Sequence, residues 1–467
     1  MTGIPLIIVF VLAIIAMIVM ISKLKIHPFL SIMAVALVFG LVGGIPLVDA
    51  KSGEKTIPGI ATVIGQGFSG TFTSIGIVII LGALIGMILE VTGGAFRLAD
   101  AIVNLLGKKR PILAIQLMGW IVSIPVFCDS GFVILNPIRR ALAQRTATSS
   151  VAMTVALSAG LYTSHVFIPP TPGPIAAAST LGLGDHLLLV IGMGVLVSPP
   201  ALIASYFYAR WIGSRLQSSE DADLAAIADG DVERSYEELR ASYGTLPGTA
   251  LSFAPIVVPI LAMALGSIAS MAKWTGFGAD VARFVGTPII ALAIGTIIAA
   301  ALLAQTGRMK QFYDVTDSTL KVVGPILFIT AAGGVLGKVI ANTDIVTFIT
   351  DNASVMASVG LFFPFLLSAI LKTAQGSSTV ALVTTAGIVA PMLPALGLET
   401  PVQVALAVMA IAAGAMTVSH ANDSYFWVVT NFGGMTADQG YKTQTMVTLI
   451  MGVVSMVFIW ILSLFLV

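Results

Sequence analysis

The residues best suited to chemistry in this chain of 467 residues sit in four short polar interruptions of long apolar runs. The first is Cys128-Asp129-Ser130-Gly131 and the second is Ser164-His165-Val166-Phe167-Ile168-Pro169-Pro170-Thr171-Pro172-Gly173-Pro174. The third is Thr373-Ala374-Gln375-Gly376-Ser377-Ser378-Thr379, and the fourth, Ser419-His420-Ala421-Asn422-Asp423-Ser424, opens with the same Ser-His pair as the second. Hydroxyls, amides and the bare N–H groups of a helix start can hold a carboxylate. Buried carboxyls and histidines can take up or release a proton near neutral pH. Together these groups could bind a small organic anion and couple its movement to protons.

On this reading Ser130, Gly131, His165, Thr171, Gln375, Gly376, Ser377, Ser378, Thr379, His420 and Asn422 are the candidate substrate contacts. Asp129 and Asp423 are the candidate proton carriers. Each has a plainer alternative. Serines at a helix start cap it, Asp423 after Asn422 reads equally as an N-cap, and a histidine in a packed bundle often serves as a hydrogen-bonding strut. Lys372 has three open roles: attracting the substrate carboxylate, pairing with Asp129 or Asp423, or snorkelling to water.

Such groups need elements to position them, and the composition says which kind. Hydrophobic residues make up 57% of the chain and charged residues 10%, against about 25% charged in soluble domains. This is a polytopic membrane protein of all-α class. A formal net charge of +1 gives no handle for nucleic acid. Cys128 is the one cysteine, no Cys/His cluster has zinc spacing, and neither a metal nor a cofactor is implied. No P-loop motif supports pumping by ATP hydrolysis, and no hydrolase motif supports an intramembrane enzyme. The first apolar run lacks a basic segment before it and is followed by Lys23 and Lys25, so it reads as a span rather than a signal peptide.

Windows of about 20 apolar residues predict spans at 4–22, 28–47, 74–92, 150–182 and 187–211, then 248–270, 288–305, 322–340, 402–430 and 443–466. The spans 150–182 and 402–430 are broken, the first because proline lacks an N–H and clashes with the preceding turn. Stretches 111–146 and 355–396, each with a polar, glycine-containing centre, read as re-entrant helical hairpins. Broken backbone at membrane depth is tolerated only inside protein or beside a wet cavity. Paired interruptions of this kind point to a transporter's binding site.

The order of spans, hairpin and broken span occurs twice, over 1–212 and 248–467, with 213–247 as a solvated cytoplasmic linker. Gly82–Thr92 resembles Gly333–Thr343, and the glycines in both fit close helix packing. Five full spans per unit is odd, which predicts two inverted repeats. Placing 22–27 in the cytoplasm puts 17 Lys and Arg residues inside and 5 outside, with both termini external. Phe96–Leu106 and Phe312–Leu320 look amphipathic enough to lie along the membrane surface.

Three motifs together, His165–Pro174, Gln375-Gly376-Ser377-Ser378-Thr379-Val380-Ala381 and Ser419–Trp427, resemble the gluconate permease family of the ion-transporter superfamily. The likeness runs over nearly the whole length. It implies a proton symporter of sugar acids or related small hydroxy-carboxylates in the inner (plasma) membrane. It also implies a scaffold and a transport domain in each protomer of a homodimer, with elevator-like movement. The chain departs from the family pattern at Asp129-Ser130-Gly131, where members carry Glu-Val-Gly, and at Thr171, where a second histidine is frequent. Carbonyls and hydroxyls at the hairpin tips suit sodium as well as protons. Two further readings remain open, a symporter of a small amino acid such as D-serine, with Asp129 or Asp423 facing the ammonium, and an inorganic-ion antiporter such as sodium/proton.

Overall fold

A computed structural model of the chain describes residues 4–52, 55–98, 110–221, 241, 243–344, 359–420 and 423–466. Long apolar runs must satisfy their backbone groups within the segment, and helices follow. The first half contains α1 (Ile4–Ser22), α2 (Pro28–Val42) and α3 (Ile60–Val91). It continues with α4 (Pro111–Val122), α5 (Cys128–Arg145), α6 (Ser150–Phe167), α7 (Pro172–Thr180) and α8 (Leu187–Gly213). The second half contains α9 (Thr249–Met271), α10 (Phe277–Gly286), α11 (Pro288–Gln305) and α12 (Phe312–Ala341). Next come α13 (Phe362–Gln375), α14 (Ser378–Val389), α15 (Pro401–Met416), α16 (Ser424–Phe432) and α17 (Ala437–Gly440). A π-turn at Tyr441–Thr445 then leads into α18 (Met446–Leu466). Among the described residues, 6 helices are long and apolar enough to cross a membrane, or 7 if the bent α3 counts as one span.

Four expectations need correction. The chain is not wholly helical, because Ala50–Ser52 pairs antiparallel with Lys55–Ile57. This segment is polar and lies outside the apolar runs, and Asp49 Oδ1 ties it down by accepting the Gly59 N–H at 2.6 Å. The span expected at 74–92 is the second half of a helix of 32 residues that starts at Ile60 and bends by 41°. Gln66, Ser69, Thr71 and glycines 65, 67 and 70 keep the first half from looking apolar. Phe312–Leu320 is likewise no separate surface helix but the opening turns of α12, while only the first residues of the stretch Phe96–Leu106 lie among those described. Finally, the start of the linker is not solvated.

That last point rests on a buried ionic cluster. Glu220, 5% exposed, docks on Arg139, which is fully buried in the last turns of α5. Arg139 Nη2 meets both carboxylate oxygens at 2.6 and 2.8 Å, Nη1 donates to Ser150 Oγ at 2.7 Å and Nε donates to Asn136 Oδ1 at 2.8 Å. Asp221 accepts the Ser150 N–H at 2.6 Å, and Ser219 N–H reaches the Gly434 carbonyl at 3.0 Å. A charged residue buried this deeply is stable only when paired. The pairing fastens residues 218–221 to α5, to the start of α6 and to the turn after α16.

The broken helices form the centre of the bundle. Every residue of α6 is buried, as is α15 from Val404 to Met416. Around them pack α4, α8, α13, α14 and α18, while α3 and α12 run against each other along their length. Glycines let these two helices approach the interrupted elements. A Cβ on Gly82 would lie 2.7 Å from the Pro170 carbonyl oxygen, one on Gly86 would lie 2.0 Å from that of Pro125, and one on Gly337 would lie 2.4 Å from that of Gly387.

Two predictions follow from this packing. Gly86→Ala drives a methyl into backbone that cannot yield, so it lowers stability by about 1–3 kcal/mol. Glu220→Ala strands Arg139 and costs about 3–5 kcal/mol, most of which Arg139→Met in the same chain restores. Thermal unfolding of the purified variants checks both.

Candidate functional site

The prolines of the first break strip hydrogen bonds from α6, and the chain replaces them locally. Thr171 Oγ1 lies 2.9 Å from the His165 carbonyl and 2.8 Å from that of Ile168, so its hydroxyl serves the break itself. The second break is served from the π-turn and the first turn of α18. Thr448 Oγ1 accepts the Ser419 N–H at 3.0 Å, and Thr445 Oγ1 donates to the Ser419 carbonyl at 2.6 Å. Val418 is held there at φ 59, a left-handed conformation rare for a β-branched residue.

Asp423 caps α16 by accepting the Tyr425 N–H at 3.1 Å. Its other oxygen receives Ser419 Oγ at 2.5 Å and Lys372 Nζ at 2.7 Å. Lys372 is fully buried, and its ammonium also donates to the carbonyl of Gly376. Gly376 turns the second hairpin at φ 91, where glycine alone is unstrained. Of the three roles open to Lys372, the structure shows it paired with Asp423. One cation thus joins the hairpin tip to the second break.

Three helix starts converge on one cavity of about 280 Å³: those of α5, α14 and α16. The first N–H groups of a helix have no intrahelical partner, and the helix dipole adds partial positive charge at the same end. Ser377 caps α14 by accepting the Val380 N–H at 3.3 Å, leaving the N–H groups of Ser378 and Thr379 at the cavity end. Asp129 sits in the first turn of α5, half-buried, with Oδ1 3.2 Å from Ser424 Oγ and Oδ2 3.6 Å from Cys128 Sγ. Asp129 makes no ion pair among the described residues, unlike Asp423.

The cavity therefore brings together Asp129, His165, Gly376, Ser377, Ser378, Thr379 and Asp423. It leaves out Thr171, which is buried within the first break, and His420, whose Nε2 lies 2.9 Å from the Thr373 carbonyl and struts the second break against α13. Gly131 lies behind the wall, because its N–H already bonds the Phe127 carbonyl at 2.8 Å and a Cβ there would meet Leu161 at 2.7 Å. Asn422 and the side chains of Ser130 and Gln375 fall outside the described residues.

Sequence reasoning missed Phe127, Tyr162, Ser424 and Tyr425, all on the cavity wall. The rings of Tyr162 and Tyr425 lie 5.3 Å apart, and Tyr425 donates its hydroxyl to the Ser158 carbonyl at 3.1 Å. Tyr162 and His165 are three apart on α6 and so share a face, a spacing that could have flagged Tyr162. A second cavity of about 370 Å³ lies between α3, α12 and the far ends of α7 and α14. It holds one lysine and no carboxylate. A third space, of about 20 Å³ and lined mainly by prolines and aliphatic side chains, is too small for an organic ligand.

The profile described as "GntP family permease" matches residues 4–465. An inner membrane permease of Escherichia coli, YgbN, is 31% identical over 468 residues, covering 98% of this chain and 99% of its own. A gluconate permease of Pseudomonas aeruginosa is 29% identical over 457 residues, covering 97% and 96%. Among solved structures, the YdaH transporter of Alcanivorax borkumensis superposes with a TM-score of 0.65 at 15% identity, covering 94% of this chain and 99% of that one. MtrF of Neisseria gonorrhoeae gives 0.63 at 16% identity, covering 95% and 96%. Both share the fold.

The ion pair yields the site's prediction. Lys372→Met leaves Asp423 buried without a cation and costs about 3–5 kcal/mol. Lys372→Met with Asp423→Asn removes both charges and recovers most of that loss. Denaturation midpoints of the single and double variants in detergent test this, and equal losses in both would show the charge pairing to be irrelevant.

Proposed function

The chain belongs to the GntP permease family, and we propose that it is a secondary active symporter that carries a gluconate-like hydroxy-carboxylate with protons across the inner membrane. Its matched relatives are permeases and transporters, not enzymes. The observation that carries the coupling is the charge balance of the cavity. Lys372 neutralises Asp423, which leaves Asp129 as the carboxylate without an ion-pair partner among three helix N-termini. A substrate carboxylate would face repulsion there from an ionised Asp129 and attraction from the helix ends. Protonating Asp129 removes the repulsion, so anion and proton favour each other's binding. Asp423 is then a structural anchor rather than a proton carrier.

In this proposal the N–H groups and hydroxyls of Ser377, Ser378 and Thr379 hold the carboxylate. His165 reads substrate hydroxyls, in company with Gln375 and Asn422. The two halves are inverted repeats, for which the matched lengths of α3 and α12 and the matched order of hairpin and broken helix speak. Hairpins and broken helices form the transport domain, and the glycine contacts of α3 and α12 form the surface it slides along, elevator-fashion, in each protomer of a homodimer.

The experiment is a thermal-stability screen of purified protein against sugar acids, short hydroxy-acids and small amino acids, followed by uptake into proteoliposomes. A ligand at about 100 times its Kd adds about 2.7 kcal/mol of stability. Sugar or hydroxy-acids are expected to stabilise the wild type. Asp129→Asn is expected to keep binding them while an imposed proton gradient no longer drives accumulation. Gradient-driven accumulation by Asp129→Asn would sink the assignment of the proton. Stabilisation by amino acids alone would make Asp129 the partner of an ammonium group, and stabilisation by sodium alone would favour an ion antiporter.

A further inference from the structure

The cavity of about 370 Å³ is larger than the one that holds Asp129 and is built from different chemistry. Its walls are Gln66 and Thr71 on α3, Ser179 and Thr180 at the end of α7, and Lys338 on α12. Lys338 is exposed and makes no ion pair among the described residues. Glycines 334 and 337 of α12 and Gly387 of α14 line it as well, so no bulky side chain fills the space beside the ammonium. Thr379 of the inner cavity and Gly387 of this one are eight residues apart on α14, and at about 1.5 Å of rise per residue this is roughly 12 Å. The floor is the place where the backbones of α12 and α14 touch, with Gly337 against the Gly387 carbonyl.

The lysine stands on one half of the chain only. The likeness of Gly82–Thr92 to Gly333–Thr343 aligns Gly86 with Gly337, and the residue after Gly86 is Met87 where Lys338 follows Gly337. A cation therefore marks the end of α12 and is missing from the matching end of α3. The charge distribution places the Lys338 end outside the cell, where few other basic residues lie. A lone ammonium in a concave polar space concentrates anions there and speeds their capture.

Resting on the transport reading above, we propose that this cavity is a second anion site, at which Lys338 captures the transported carboxylate from outside before it reaches Asp129. The anion waits over the α12–α14 contact, and parting of that glycine contact admits it to the inner cavity. The same cation chemistry would suit the phosphate of a lipid headgroup, so the test separates the two sources.

The test measures initial uptake of D-gluconate, with D-glycerate as a second probe, by cells expressing wild type, Lys338→Gln or Lys338→Arg. Lys338→Gln is expected to raise KM about fivefold at low ionic strength with maximal rate unchanged. The difference should shrink at high salt, where exposed charges are screened beyond about 3 Å. Lys338→Arg keeps the charge and should match the wild type. The KM shift should persist in proteoliposomes of pure phosphatidylcholine. An unchanged KM in Lys338→Gln, or a loss confined to maximal rate, overturns the capture site while leaving the transport reading intact. A shift seen only with anionic lipids assigns the cavity to a headgroup and overturns it too. If wild type moves neither probe, both readings fall together.

Discussion

A helix interrupted inside an apolar bundle exposes backbone groups that water cannot reach, and each must find a partner within the protein. That constraint is met here at three places, and the partners chosen decide what the centre of the molecule looks like. Thr171 serves two carbonyls of the first break, while Thr445 and Thr448 serve Ser419 in the second. Lys372 serves the Gly376 carbonyl at the tip of the second hairpin. These partners come from side chains already nearby, and the starts of α5, α14 and α16, the last two each with one N–H capped by Ser377 and Asp423, all face one cavity. In the proposed mechanism these helix starts form the wall that attracts the anion.

The same low dielectric governs the charges. A lysine and an aspartate buried together hold each other in place, and either alone would be costly. Their mutual neutralisation makes Asp129 stand out, since no cation offsets it among the described residues. The Arg139–Glu220 cluster applies the identical logic at the other end of α5. One end of this helix is locked by a fully paired arginine, and the other presents an aspartate at the cavity.

Much of this was legible from residue types alone. Prolines 169, 170, 172 and 174 announce the first break, and glycine with hydroxyls at 376–379 announces the hairpin tip. Residue types alone bring Asp129, His165 and the serines at 377–378 to one site, and the cavity is lined by all four. Other features depend on distances that a linear pattern does not carry. Whether Lys372 pairs with Asp129 or Asp423 turns on how α13 meets the second break. Nothing around Glu220 distinguishes it from the other acids of its linker, because its partner lies 81 positions away. Tyr162 and Tyr425 look like ordinary apolar packing until the two broken helices are brought side by side. The 60–73 turns of α3 were lost because glycine and hydroxyl residues dilute a hydropathy window without breaking a helix.

The two Ser-His pairs show how similar local sequence is put to different use. His165 enters the cavity because α6 continues helically through it and carries its side chain past Phe127, with ring centroids 5.9 Å apart. His420 stands after α15 has already ended, so its ring swings outward to the Thr373 carbonyl. The compensating cation likewise occurs once, at Lys372. A cavity built from two identical halves would present the same groups on both sides and could not tell one end of a ligand from the other. Divergence at the pairs gives this cavity a wall with Tyr162 and His165 on α6 and a wall of helix N-termini from α14 and α16, the latter carrying Tyr425. A hydroxy-acid, with its charge at one end and its hydroxyls along the rest, has the asymmetry to match.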